Sequence, residues 1–179
     1  MAINVKQIIV DTIYELSREK PLSKVTVLDI SKRSGISRQT FYNHFKDKND
    51  LIRWVFICTL DRWDLVEKEG YYAYLCDLYR KAQENGHFLR QACMLAGQNS
   101  LVEEIYIITY KYHRRHILMQ LGEKQLPAQL EYALRFDAYG STNCYIQWLV
   151  ERMPITPEDM ALYAYESMPQ IIRQYFEKQ

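Results

Sequence analysis

Between Pro21 and Leu51 the chain carries start and stop signals for two helices too short to stand alone, and this punctuation constrains the fold more than any other feature. Thr26 precedes the apolar positions Val27 and Ile30 as a hydroxyl cap that can accept from the open amides of a first helical turn. Gly35 follows as the stop, because glycine enters the left-handed conformation that ends a helix without a side-chain penalty. Ser37 restarts a helix that runs Arg38-Gln39-Thr40-Phe41-Tyr42-Asn43-His44 and closes near Phe45. Two helices of about eight residues joined at a glycine turn are the outline of a helix-turn-helix. Phe41 and Phe45, four residues apart, share one face and are predicted to pack with Ile30 and Ile36. Upstream, Ile3, Ile8, Ile9, Ile13 and Leu16 form one helical stripe that Lys20-Pro21 ends. Downstream, Asp47 caps a long fourth helix bearing Leu51, Ile52, Val55, Phe56 and Leu60.

Further helices are predicted over 71–85, 87–95, 99–121, 127–152 and 157–178, interrupted at Asn85-Gly86, at Gly97, over 122–127 and over 154–157. Pro169 is expected to kink or divide the last of them. No period-2 run of strand length stands out, so the fold class is all-α with about nine helices. At 179 residues and 48% hydrophobic content the chain has material for a real core but excludes a large multidomain enzyme. No apolar run approaches the roughly 18 residues of a membrane span and the start lacks the pattern of a secretory signal, so a cytoplasmic protein with no membrane partner is expected. Cys58, Cys76, Cys93 and Cys144 are widely spaced without a CxxC pair, and buried free thiols are expected rather than a zinc ribbon or a disulfide framework.

The net charge of +1 conceals a division. Through Arg53 there are ten Lys and Arg against six Asp and Glu; the remainder has thirteen against sixteen. A basic amino-terminal part suits a polyanionic partner. A helix starting at Ser37 presents its amino-terminal end outward. Arg38 there can pair with guanine, Gln39 with adenine edges, and Thr40 with a thymine methyl or a phosphate. Tyr42, the Thr26 hydroxyl, and Lys48 with the open amides of helix four suit flanking phosphate oxygens, while Asn43 and His44 project from the exposed side toward bases or backbone.

The stretch from Val25 to Leu51, with its turn Gly35-Ile36-Ser37, its Thr40-Phe41-Tyr42-Asn43-His44-Phe45 recognition helix and the following Lys48 and Leu51, resembles the DNA-binding signature of the TetR/AcrR family of bacterial transcriptional regulators. Gln39 stands where that family often has glycine. Within the family, the phrase from Phe41 to Lys48 is most similar to regulators of the dihydroxyacetone-kinase-regulator type. The resemblance implies a helix-turn-helix DNA-binding domain over residues 1–47 and an effector-binding and dimerisation domain over 48–179. It also implies a homodimer on a palindromic operator, an unknown small-molecule effector, no cofactor, and repression as the ordinary output. Activation or co-regulation through protein contacts of the same fold is the alternative, and an interaction module without DNA binding is a third reading.

A single helix-turn-helix contacts too few phosphates for useful affinity, which independently argues for a dimer. Gly140 and Ser141 put small residues mid-helix, where glycine costs about 1 kcal/mol against alanine, so a close helix approach is expected there. Tyr145, Trp148, Met168 and Ile172 are expected to continue that interface. For the effector the candidate contacts are Trp63, Tyr106, Tyr110, His113 and Tyr139, since aromatic side chains with polar handles suit a small-molecule pocket, although they equally suit ordinary core edges. His113 and His116 have i, i+3 spacing but no third ligand nearby in sequence, so no metal is expected. There is no Gly-rich phosphate loop, GxSxG or HExxH motif, and no enzyme is expected.

Overall fold

Local capping explains where the amino-terminal helices begin and end. In the computed structural model, α1 (Val5–Glu19) opens on Asn4, whose side chain accepts from the Gln7 amide, and gives way before Pro21 to a 3-10 turn, Leu22–Lys24. Helix α2 (Val27–Ser34) starts at Thr26 in a reciprocal capping box with Asp29 and stops at Gly35, which sits at φ 71°. Helix α3 (Arg38–Tyr42) starts at Ser37, whose hydroxyl accepts from the Thr40 amide, and has only five residues. Helix α4 (Lys48–Leu60) is capped by Asp47, which accepts from the Asp50 amide at 2.8 Å. The expected caps Thr26, Ser37 and Asp47 and the expected stop at Gly35 all act as read.

The described residues are 4–60, 63–95, 101–152 and 154–177, and the side chains of residues 59, 60 and 63 lie outside them. Ile3, Gly97 and the start of the helix expected at 99 fall outside as well. The larger part comprises α5 (Trp63–Glu69), α6 (Tyr71–Glu84), α7 (Gly86–Met94), α8 (Leu101–Leu121), α9 (Ala128–Glu151), α10 (Pro157–Ser167) and α11 (Gln170–Arg173). The described residues hold eleven α-helices and no strand. Of the two beyond the expected nine, α5 is described apart from α4 because residues 61–62 lie outside the described residues, and α11 is split from α10 at Pro169, which lacks the amide a continuing helix needs. No disulfide joins the cysteines, and Cys58 and Cys144 lie exposed rather than buried as expected.

Helix α6 packs between α5 and α10, while α8 pairs with α9, and α9 also meets α7 and α11. The small core joins Ile9, Ile13, Leu16, Ile30, Phe41, Phe45 and Leu51, all buried, with Ile36 half-buried at its edge. Helix α4 belongs to both parts: Trp54 meets Phe45 edge-on at 5.8 Å, and Phe56 meets Tyr145 of α9 at 6.2 Å. Helix α7 supplies a second junction. Gln91 accepts from the Leu22 amide and donates to the Ser17 carbonyl, His87 contacts the same carbonyl, and Phe88 packs edge-on against Tyr14.

Candidate nucleic-acid interface and effector cavity

The outer face of α3 is held from beneath. Phe41 and Phe45 are buried, and Phe41 meets Tyr42 at 5.6 Å with the rings nearly perpendicular, so the phenol is levered outward and remains 45% exposed. Arg38, Gln39 and Asn43 are exposed, with Gln39 donating to the Asn43 side chain at 3.2 Å, and His44 is half-buried. Ser37 and Thr40 share a hydroxyl–hydroxyl hydrogen bond of 2.8 Å, which uses one of their two protons and leaves the other for an outside acceptor. Nearby cations are sorted by their partners. Arg33 grips Glu19 through two bonds of 2.7 Å and holds its carboxyl below the usual range, and Lys20 pairs with Asp29 at 2.8 Å. Arg38 has no acidic partner among the described residues.

Two of the expected phosphate contacts are engaged within the fold. The Lys48 ammonium donates to the Leu22 and Val25 carbonyls at 2.8 and 2.9 Å and reaches the Ser23 carbonyl, because the end of the 3-10 turn directs its carbonyls at the start of α4. Burial alone pushes this amine below its ordinary range. Its side chain is therefore a strut rather than a presented charge. The Thr26 hydroxyl donates its one proton to Asp29 at 2.7 Å, so it has none to offer a phosphate. Lys48→Met is expected to lower stability by about 1–2 kcal/mol in chemical denaturation, since partly buried carbonyls lose a charged donor, while exposed Lys46→Met stays within about 0.5 kcal/mol.

The candidate effector contacts divide. His113 is buried and lines a cavity of about 60 Å³ between α4, α6, α8, α9 and α10, together with Phe56, Tyr71, Tyr79, Asp137 and Tyr145. Tyr106, Tyr110 and Tyr139 do not line it. They stack along the outer α8–α9 seam, with Tyr106 and Tyr139 centred 3.8 Å apart and Tyr110 donating to Glu131, because these ring positions fall where the two helices meet solvent. The side chain of Trp63 lies outside the described residues. Asp137, overlooked in sequence, gave no local signal: an acid in the middle of a helix ordinarily faces solvent.

Inside the cavity, Tyr71 and His113 Nε2 share a hydrogen bond of 2.7 Å. Burial, reinforced by nearby His116, pushes His113 down to about 3, and burial pushes Asp137 up to about 6. Although His113 Nδ1 and Asp137 Oδ2 lie 3.8 Å apart, the neutral ring makes this a near approach rather than an ion pair. His116 turns away to the Tyr175 carbonyl at 2.9 Å, and no group of three or more metal-ligating side chains is assembled among the described residues.

The interface expectation also needs correction. Tyr145, Trp148, Met168 and Ile172 are buried within the chain's own core, where α9 packs on α6, α7 and α11. Gly140 is exposed and Ser141 half-buried, its hydroxyl donating to the Asp137 carbonyl. The bare face of α9 carries Tyr132, Phe136 and Tyr139, 73, 68 and 62% exposed, at i, i+4 and i+7; on α10, Leu162 and Tyr163 are exposed as well. A Cβ at Gly140 would meet nothing within 4 Å, so packing inside the chain does not require a glycine there. No helix among the described residues is long and apolar enough to cross a membrane.

Residues 9–55 match the family model described as bacterial regulatory proteins, tetR family, and residues 69–170 match the one described as transcriptional regulator C-terminal region. A stretch of 51 residues is 33% identical to the HTH-type dhaKLM operon transcriptional activator DhaS of Lactococcus lactis subsp. lactis (strain IL1403), a match spanning 28% of this chain and 27% of that relative. In fold, the chain is similar to the solved dihydroxyacetone kinase operon activator DhaS, with a TM-score of 0.68 and 18% identity over 99% of this chain and 100% of the other. It is also similar to a TetR transcriptional regulator from Rhodococcus sp. RHA1, with a TM-score of 0.59 and 19% identity over 96% of this chain and 93% of the other.

Proposed function

Because the chain belongs to the TetR family of bacterial regulatory proteins and is a transcriptional regulator, not an enzyme, we propose that it binds a palindromic operator as an effector-responsive homodimer. The observation that carries this reading is α3 itself, whose Arg38, Gln39 and Tyr42 stand outward from a buried Phe41–Phe45 underside. Arg38 and Gln39 read base edges; Tyr42, Thr40, Ser37, Asn43 and His44 meet backbone or bases around them. Residues 1–47 form the reader and 48–179 the effector and dimerisation part, with α4 as the lever between them, since Trp54 supports the reader and Phe56 lines the cavity. The two-helix face of Tyr132, Phe136, Tyr139, Gly140, Leu162 and Tyr163 is the dimer surface, for an apolar patch of this extent calls for a partner. An effector then changes operator affinity only by its preference for one spacing of the paired readers. Repression from the cytoplasm is the first reading. Activation is the second, favoured by the name of the DhaS relative, which is similar over a helix-turn-helix length of chain.

Gel retardation of DNA from upstream of the chain's own coding region tests this, expecting salt-sensitive, sequence-specific binding by a dimer. Gln39→Ala is expected to reorder preferences among operator variants, and Tyr42→Phe to weaken all of them alike by about 0.5–1.5 kcal/mol. Absence of binding at low salt, or a monomer at micromolar concentration in sedimentation, overturns the reading.

A further inference from the structure

The wall of the α4–α6–α8–α9–α10 cavity holds four buried polar atoms with no hydrogen-bond partner: His113 Nδ1, Asp137 Oδ2, Thr142 Oγ1 and Tyr145 OH. Buried polar groups are satisfied in the great majority of cases, and each one left open costs stability, so four around one small space point to something that fills it. Asp137 is the one acidic or basic side chain, histidine aside, among the described residues that line the cavity. The remaining wall mixes aromatic side chains with aliphatic ones such as Leu75, Ile105 and Ile108. Tyr71 and Tyr74 stack at 5.6 Å, Tyr79 and Tyr145 lie 5.8 Å apart, and Phe56 and Tyr112 are the other rings in the lining.

We infer that the effector is a small organic cation, a primary ammonium ion of about four to six heavy atoms, held by Asp137 beside the aromatic side chains of this wall. The assignment rests on reading the cavity as the effector site and names the chemistry that site would take. Three arguments lead to it. A carboxylate out of water is stabilised by an opposite charge, and the described wall supplies none. Aromatic faces attract cations most strongly where water is excluded. An ammonium group has three N–H donors, and all four open atoms can present a lone pair, His113 Nδ1 doing so when its other nitrogen carries the proton. The 3.8 Å between His113 Nδ1 and Asp137 Oδ2 is bridged by one nitrogen roughly 2.8 Å from each. Size sets the limit: about 60 Å³ holds roughly four to six waters at ~10–15 Å³ apiece. A groove of about 350 Å³ between α9 and α10 shares Tyr79, Asp137, Ser141 and Ala164 with the cavity wall.

The probes are propylamine and ethanolamine against propan-1-ol and ethylene glycol, pairs matched in size that differ in charge. Titration calorimetry and thermal unfolding of the full chain at pH 7.5 in 0.15 M salt are the readouts. An amine is expected to bind at least tenfold tighter than its alcohol and to raise the unfolding temperature. Asp137→Asn, which keeps the shape and removes the charge, is expected to bring the amine down to the alcohol's level while melting cooperatively. Exposed Glu123→Gln leaves amine binding unchanged. Alcohols binding as well as amines, or amine binding that survives Asp137→Asn, defeat the cation assignment and leave the effector reading standing. If none of the four probes binds, the cation assignment fails; if operator binding to the chain's own upstream DNA is also absent, the regulatory reading fails with it.

Discussion

Phe41→Ala is expected to destabilise the amino-terminal helices by about 3–5 kcal/mol and to abolish operator binding, while the larger helical part keeps its circular dichroism. The ring is fully buried and lies 5.9 Å from Phe45, which in turn meets Trp54 of α4. Helix α3 has five residues, far below the length at which a helix persists by its own hydrogen bonds, so its conformation is owed to the side chains that anchor it. Removing the anchor leaves a cavity beneath the reader and frees the turn at Gly35. Chemical denaturation followed by tryptophan fluorescence and far-ultraviolet circular dichroism measures the loss. Tyr42→Phe, which alters only an exposed hydroxyl, is the control and stays within about 0.5 kcal/mol. A loss below 1 kcal/mol for Phe41→Ala contradicts the view that α3 is held from below.

Asp137→Asn is expected to raise the stability of the ligand-free chain at pH 7 by about 1–3 kcal/mol and to make it more acid-sensitive between pH 6 and 4 than the unsubstituted chain. Two buried groups of opposite response account for this. His113 is held near 3 in the fold against an ordinary 6.5, so the unfolded chain takes up more protons between those values. The stability it contributes is complete above pH 6.5 and drains away as pH falls toward 3. Asp137 is raised to about 6 from 3.8, so the folded chain holds its proton more tightly across that window. Its favourable contribution is complete below about 3.8 and is lost as pH rises through 6. Between pH 4 and 6 the two slopes, each at most about 1.4 kcal/mol per pH unit, oppose one another. Asparagine removes one and exposes the other. Urea midpoints from pH 4 to 7.5 on both proteins check it, and parallel profiles would refute the account.

The amino-terminal reader was the most legible part. Its caps at Thr26, Ser37 and Asp47 and its stop at Gly35 act on amides within a single turn, so neighbouring residues carry the information. Lys48 was not legible in the same way. An exposed-looking cation beside a recognition helix reads as a phosphate contact, yet its partners are carbonyls of residues 22, 23 and 25, brought to it by the packing of α4 on the 3-10 turn. Helix α9 misled for another reason. It is apolar on more than one side, with Leu134, Tyr145, Trp148 and Leu149 inward and Tyr132, Phe136 and Tyr139 outward, so periodicity selects no single buried face. Tyr145, Trp148, Met168 and Ile172, expected to meet a partner chain, fill the core, and of the expected effector contacts Tyr106, Tyr110 and Tyr139 lie on the surface seam while His113 lines the cavity.

Amino-acid order alone determined the helical class, the helix-turn-helix and the side chains on its outer face, because capping, glycine stops and i, i+4 pairing are interactions between near neighbours. Which of the fifteen tyrosines gather around Asp137, and which flank of α9 stays bare, was decided only by the docking of helices far apart in the chain. Each of those rings would be equally content against any apolar surface, so their placement follows the helices that carry them.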